Sequence, residues 1–264
     1  MKKRNYNLII GIAITALMAA LVVLGRFWTP HDTLAVNAAS KFLPPSSVYI
    51  LGTDYYGRDI FSRLLEGAGT TLFIAAATVA IGAAAGIVLG ALTGYYGGAL
   101  DELLMRVNDT ITSFPSILLA LVLISLLGQG RNNVIAALAI LFVPSFARVA
   151  RTQFAREREL DYVRSARLMG VRGPRIMFVH ILPNTMHVML SAIAIGFNNA
   201  VLAEAGMSFL GIGVQPPYPS LGRMLSESRA YFSRAPWYAL SVGGAIVLLI
   251  LGFGLISDGL GANE

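Results

Sequence analysis

Six long apolar runs constrain this chain more than any other feature of its sequence. A helix rises 1.5 Å per residue, so about 20 apolar residues are needed to cross about 30 Å of hydrocarbon. Runs close to that length lie at 8–25, 70–95, 105–127, 134–149, 185–203 and 237–256. Only 13% of the 264 residues are charged, against about a quarter in a soluble domain. The sequence therefore predicts an all-α membrane protein with six transmembrane helices.

Positive charges predict which side of the membrane each connection faces. The connection 150–184 is rich in arginine, and the N-terminus carries Lys2, Lys3 and Arg4. Cytoplasmic loops are enriched in Lys and Arg, so we expect both segments in the cytoplasm, and with six spans the C-terminus as well. The connections 26–69 and 204–236 then face outward. The first apolar run is longer than that of a signal peptide, which predicts an uncleaved anchor.

Two parts of the chain follow from this topology. Residues 1–69 are expected to form an anchor helix and an outward loop, and residues 70–264 a core of five transmembrane helices with the cytoplasmic loop 150–184. From 58 to 66 apolar residues fall on one side and polar residues on the other, which is typical of a helix lying at the membrane interface. Whether such a helix meets a partner or is only an amphipathic loop helix stays open.

Several function classes are excluded by what the sequence lacks. A P-loop needs a lysine after glycine, and none of the lysines, Lys2, Lys3 and Lys41, follows one. The chain has no cysteine, and its three histidines are far apart in sequence, so we expect no cofactor and no resident metal site. The net charge of +6 lies beside membrane spans without an aromatic stacking platform, so we expect no nucleic-acid partner.

Four glycines recur at every fourth position of the second apolar run. These are Gly82, Gly86, Gly90 and Gly94. A period of four places them along one helix face, and close backbone approach at small residues holds transmembrane helices together. The spacing predicts a helix-packing surface, although chance in an Ala/Gly-rich helix would give the same spacing. Whether the neighbouring helix belongs to this chain or to a partner stays open.

The cytoplasmic loop contains signals for two short helices outside the membrane. Leu160, Val163 and either Ala166 or Arg167 fall on one side of the first helix, and Gly170 can end it in the left-handed conformation. Gly173-Pro174 can start the second helix. A loop that only joins two spans would be shorter. We therefore expect a structured docking element.

The same loop resembles a known family. Arg164-Ser165-Ala166, then Gly170, then Ile181-Leu182-Pro183 resemble the EAA loop of binding-protein-dependent ABC importers, which contacts the ATPase subunit. It departs from the general pattern in having Arg164 for glutamate and Ser165 for alanine. These departures are similar to the dipeptide/oligopeptide/nickel branch. The resemblance implies ATPase-coupling roles for Leu160, Tyr162, Val163, Arg164, Ser165, Ala166, Gly170, Ile181 and Pro183.

Two outward segments resemble signatures of the same branch. Residues 51–54, 57–59 and 62–64 read LGTD, GRD and SRL after the first span. Residues 209–211, 213–217 and 219–220 read FLG, GVQPP and PS before the last span. In the family, segments like these meet the solute-binding protein. The resemblance therefore implies binding-protein-facing roles for Asp54, Arg58, Asp59 and Gln215.

Three polar residues of the fifth apolar run are candidates for a translocation pathway. Asn198 and Asn199 lie within the run, with Ser191 one to two turns earlier. Polar residues inside a span are functional candidates. They either line a wet pathway or hydrogen-bond to neighbouring helices, and the sequence does not decide between these interpretations.

The resemblance implies a non-catalytic, multi-pass permease subunit in a bacterial inner membrane. Its expected partners are lipid, a second homologous permease, two separate ATPase subunits that hydrolyse the ATP, and an extracytoplasmic solute-binding protein. The expected cargo is di- or oligopeptides, with nickel or a metal chelate as the alternative. A stand-alone secondary transporter or channel would need buried ion-coupling residues and inverted repeats, and we recognise neither. An intramembrane enzyme would need a nucleophile and a base, which are not recognisable.

Overall fold

The computed structural model describes residues 6–261 as a series of helices. The basic residues Lys2, Lys3 and Arg4 lie outside the described residues. The helices are α1 Tyr6–Phe27, α2 Ile60–Tyr96, α3 Gly98–Ser113, α4 Ser116–Leu127, α5 Arg131–Glu157, α6 Asp161–Leu168, α7 Gly173–Arg175, α8 Leu182–Phe209, α9 Leu221–Arg229 and α10 Pro236–Gly261. A π-helical segment, Ile176–Ile181, joins α7 to α8. Within residues 6–261, extended pairing is confined to one isolated bridge between Thr53 and Asp59.

Among residues 6–261, five unbroken helical segments are long and apolar enough to cross a membrane. They are Tyr6–Phe27, Ile60–Tyr96, Arg131–Glu157, Gly173–Phe209 and Pro236–Gly259. The predicted span 105–127 is not one straight helix, because α3 and α4 meet at 96°. Phe114 is extended, with φ −88° and ψ 142°, as expected for a residue that precedes a proline such as Pro115. The third crossing is therefore a bent pair.

The directions of the packed helices show that the bent pair completes an even number of crossings. Gly259 lies beside Leu8, and Gly252 lies beside Thr15, so α1 and α10 are antiparallel. The first residues of α1 and the last residues of α10 therefore lie on the same side. Gly82 lies beside Phe142, and Gly94 beside Phe154, so α2 and α5 are parallel. The chain between two parallel helices must return to the starting side. The α3–α4 pair is that return, which supports six crossings.

The described residues form two compact units. One contains residues up to 76, 124–135 and those from 197 onward, and the other contains 77–123 and 136–196. Because α2, α5 and α8 each pass through both, neither unit is a continuous stretch. The core of the first unit includes Met18, Ile60, Tyr238, Val242 and Leu249. A cluster around Phe154, Ile176 and Met177 forms a core of the second unit.

The four regularly spaced glycines of α2 pack against α5 of the same chain. A β-carbon added at Gly86 would lie 2.6 Å from Phe146 Cβ and 2.8 Å from the Val143 carbonyl oxygen. At Gly90 it would meet the Ala147 carbonyl and lie 2.5 Å from Ala150 Cβ. Gly82 and Gly94 make similar contacts one turn before and one turn after this pair. The neighbour that the sequence left open is therefore α5.

Leucine at Gly86 or Gly90 is expected to destabilise the purified chain, because the added atoms force apart two backbones that touch. Overpacking of this kind costs about 1–3 kcal/mol or more. Gly244→Leu is the matched control, since nothing lies within 4 Å of a β-carbon at that mid-helix glycine of α10. Thermal unfolding in detergent measures the difference. Equal stability of Gly90→Leu and Gly244→Leu would disprove the packing role.

Candidate functional site

The first helix of the loop 150–184 ends at a left-handed glycine. Leu160 is extended and α6 begins at Asp161, whose negative charge suits a helix N-terminus. Gly170 has φ +76°. The Val171 N–H donates to the Ala166 carbonyl at 3.1 Å, and the Gly170 N–H to the Arg167 carbonyl at 2.9 Å. This pattern satisfies the last carbonyls of α6 and turns the chain sharply.

The second helix of the loop is continuous with the fifth span, contrary to the prediction of a separate short helix. Gly173–Phe209 is one apolar helical segment, with Pro174 in its first turn. Pro183 has no N–H and would leave a carbonyl unpaired in a regular α-helix. In the π-helical segment before it, the Leu182 N–H reaches back to the Met177 carbonyl. This wider turn accommodates the proline without a break.

Three predicted coupling residues are buried, two on the inner face of α6 and one in the π-helical segment. Val163, Ala166 and Ile181 pack in the core of the second unit with Tyr95 and Phe154. These side chains hold α6 in place by packing against its neighbours. Because they are enclosed, they have no surface to offer a partner.

Arginine and tyrosine contacts fasten the same loop at its edges. Arg167 Nε donates to the Tyr95 hydroxyl at 3.3 Å, and its guanidinium lies 4.8 Å from the centre of that ring. Tyr162 donates to Glu157 Oε2 at 2.7 Å. Burial raises the pKa of Tyr162, and Glu157 adds to this effect. Arg158 donates to the Gly94 carbonyl at 3.1 Å, so it stabilises the end of α2.

The exposed part of the loop is an apolar tip next to basic residues. Leu168 is 89% exposed and Met169 is 76% exposed. Arg164, Ser165 and Arg172 are exposed nearby in the sequence. We call Leu168 and Met169 the apolar tip. The amino-acid pattern alone does not single out this tip, because only exposure distinguishes these two residues from other apolar residues.

The pathway candidates lie on α8 and remain a prediction. Ser191 is partly exposed and Asn199 is exposed. Asn198 is partly buried, and its Oδ1 lacks a hydrogen-bond partner within residues 6–261. Ser191 and Asn198 are seven residues apart and share a helix face.

Charged residues before and within the start of α2 form a buried network with Glu227 of α9. Arg58 Nε lies 2.6 Å from Asp54 Oδ2, and Arg58 Nη2 lies 3.1 Å from Glu227 Oε2. Arg63 Nη2 approaches the same Glu227 oxygen at 3.4 Å, and Tyr238 donates to it at 3.2 Å. Burial disfavours the charge on Arg58, but Asp54 and Glu227 more than offset this and raise the pKa of Arg58. Glu227 thus joins the segment before α2 to α9 and α10.

The network corrects two predictions. Residues 58–66 do not form a separate interfacial helix, because α2 starts at Ile60 and continues to Tyr96. Asp59 accepts the Ser62 N–H at 3.0 Å and so caps this start. Asp54, Arg58 and Asp59 are 0%, 6% and 3% exposed, so they do not face a binding protein directly. Gln215 is partly exposed and remains a candidate.

Glu204 is a buried carboxylate that the sequence analysis missed. It lies fully buried in α8, where the Ser208 hydroxyl donates to its Oε1 at 2.7 Å. The hydroxyls of Thr71 and Ser220 lie beside the carboxyl group. Oε2 has no hydrogen-bond partner among the described residues. Glu204 follows directly after the predicted apolar run 185–203, and its position beside that run was the available signal for a buried carboxylate.

Comparison with known proteins decides the family. Residues 86–262 match the family described as binding-protein-dependent transport system inner membrane component. The chain belongs to this family. The family agrees with the resemblance seen in the sequence and with the all-helical, membrane-spanning fold.

Curated relatives extend the likeness over nearly the whole chain. The dipeptide transport system permease protein DppC of Alkalihalophilus pseudofirmus is 37% identical over 258 residues, covering 98% of this chain and 85% of the relative. The DppC protein of Escherichia coli is 36% identical over 264 residues, covering 98% and 88%. The di/tripeptide transport system permease protein DppC of Pseudomonas aeruginosa is 36% identical over 256 residues, covering 95% and 84%.

Removal of the shared acceptor Glu227 is expected to destabilise this permease. Glu227→Ala leaves two buried arginines short of an acceptor, and breaking a buried pair costs about 3–5 kcal/mol. Glu102→Ala is the control, since Glu102 pairs with Arg106 at 2.8 Å where both are exposed. Unfolding in detergent and yield in the membrane are the measurements. A stable Glu227→Ala permease would show that the network does not hold the outward segments.

Proposed function

We propose that this chain forms half of a peptide translocation pathway in a bacterial inner membrane. A second homologous permease forms the other half, an extracytoplasmic binding protein delivers di- or oligopeptides, and two separate subunits hydrolyse ATP. The family supports the permease role. The names of the relatives, which concern dipeptides and di/tripeptides, support peptide cargo over nickel.

The exposed apolar tip carries the proposal that this chain docks on an ATPase. Leu168 and Met169 extend from a rigid turn that Gly170 makes possible. Large apolar side chains that stay exposed beside polar residues mark interaction sites. The buried side of α6 packs on the end of α2 and the start of the Gly173–Phe209 segment. A displacement of the tip is therefore transmitted to two membrane helices.

Buried Glu204 is the one feature described above that would also suit a secondary transporter. A buried carboxylate in a span is a group that can couple transport to an ion. Here its surroundings are the Ser208 hydroxyl and the start of α9, and the matched relatives are subunits of peptide transport systems. We therefore assign Glu204 a structural role and keep ATP as the energy source.

Gly170→Val is expected to leave the permease in the membrane but reduce ATPase association. A β-branched residue at φ +76° is strained, by about 1–2 kcal/mol, although nothing else lies within 4 Å of the new β-carbon. Gly98→Val is a matched control outside this loop, with φ +61° and the same open surroundings. Co-purification of the ATPase subunits and peptide-stimulated ATP turnover are measured for both.

The two variants separate local strain from loss of docking. Loss of ATPase association in Gly170→Val alone supports the docking role of the loop. Wild-type association and turnover in Gly170→Val would remove that role. Peptide uptake by this chain without any ATPase would refute the importer assignment.

The proposed orientation is tested by single cysteines in a chain that has none. Ser46 and Arg156 are both exposed and lie outside the proposed docking tip, so labelling depends on the side of the membrane that each occupies. We expect a membrane-impermeant maleimide to label Ser46→Cys in intact cells, and Arg156→Cys only after permeabilisation. Labelling of Arg156→Cys in intact cells would reverse the assigned topology.

A further inference from the structure

Three connections that the topology places outside the membrane line one cleft. The cleft measures about 780 Å³ and is lined by Glu66 near the start of α2, by residues 129–133 at the start of α5, and by Val214, Gln215, Pro216 and Tyr218 before α9. All of these residues belong to the same compact unit. Its volume lies within the range of about 300–1,000 Å³ that is typical of small-ligand sites.

The cleft holds two opposite charges that form no ion pair within the described part of the chain. Within residues 6–261, the ion pairs involve neither Glu66 nor Arg131. The Arg131 guanidinium lies 4.9 Å from the centre of the Phe73 ring. This contact holds the arginine without neutralising its charge. A negative and a positive group are thus both available to a ligand in one concave site.

Side-chain amides supply further polar atoms to the cleft. They belong to Gln129, Asn132, Asn133 and Gln215. Asn133 Nδ2 donates to the Leu127 carbonyl at 2.7 Å, and Gln215 Nε2 donates to the Gly211 carbonyl at 3.0 Å. These bonds hold both amide groups in place and leave their oxygen atoms as acceptors for N–H groups.

We propose that this cleft binds the main chain of a short zwitterionic peptide as it enters the permease. Glu66 pairs with the terminal ammonium group, Arg131 pairs with the terminal carboxylate, and the amide oxygens accept peptide N–H groups. None of these contacts involves the peptide's side chains, so the site accepts peptides of varied sequence. The assignment rests on the proposed function, because it takes the cargo to be a peptide.

The charges of the cleft favour a small zwitterion over a docked protein loop. The centre of a protein–protein interface is depleted in charged residues, whereas this concave surface combines one acid, one base and four amides. Docking of the binding protein at the cleft would therefore overturn the proposal.

The test uses the complete membrane complex in nanodiscs and a photoreactive tripeptide with benzoylphenylalanine between two alanines. Mass spectrometry locates the labelled residues, and unlabelled trialanine, N-acetyl-trialanine and trialanine amide compete for labelling. In the wild type we expect labelling within 129–133 or 214–218, and about tenfold weaker competition by each blocked peptide, as for loss of one charged hydrogen bond. Peptide import is measured in parallel with the binding protein present.

Each cleft variant should lose discrimination at one peptide terminus only. Glu66→Gln should no longer distinguish trialanine from N-acetyl-trialanine, and Arg131→Gln should no longer distinguish it from trialanine amide. Arg131→Lys keeps the charge and should keep the discrimination. Asp32→Asn and Lys41→Gln, which change exposed charges outside the cleft, should retain both. A merely structural role would weaken all three competitors equally.

Three results would overturn the proposal. They are labelling elsewhere in the chain, unchanged discrimination at both termini in both cleft variants, and unchanged labelling with weakened association of the binding protein. If the wild-type complex imports trialanine while any of these holds, only the cleft assignment fails. If the complex neither imports nor binds any peptide, the proposed function itself fails.

Discussion

Close backbone approach at glycine is the interaction on which the rest of this structure depends. Lipid offers no hydrophobic drive for helix association, so van der Waals contact at small residues must supply it. Gly86 and Gly90 bring α2 against α5, and Gly11 and Gly252 bring α1 against α10. These contacts set one pair parallel and the other antiparallel. The directions in turn require the bent α3–α4 pair to cross back.

Two features near the spans that would be costly alone, the buried arginines and Pro183, are tolerated because a partner or a suitable turn accommodates them. Glu227 joins Arg58 and Arg63, which are almost fully buried. Pro183 follows a π-helical segment that absorbs its missing N–H. Such groups order the outward segments and the base of the fifth span. Because these groups are enclosed, they offer no surface to a partner. Residues that contact a partner must therefore be sought among the exposed side chains.

Local chemistry made much of the fold and part of the site predictable. The apolar runs identified the membrane-crossing segments, because an apolar run of about 20 residues has few other uses. Gly170 was expected in the left-handed conformation, and the short-range backbone hydrogen bonds around it show why glycine is needed there. The loop motif and the outward signatures indicated the family, which the comparisons confirm. Each of these signals is carried by residues close together in the chain.

Long-range pairing decided the rest. The sequence by itself determined the spans, the turn at Gly170 and the family, since hydropathy and turn preference are properties of a short segment. Only the tertiary structure showed that Arg58 is buried, because its acceptor Glu227 is 169 residues away. It also showed that the apolar tip is exposed, that Glu204 is buried, and that three segments far apart in the sequence line one cleft. Whether a charged or apolar side chain is exposed or enclosed depends on residues that lie far from it in the sequence and come close only when the chain folds.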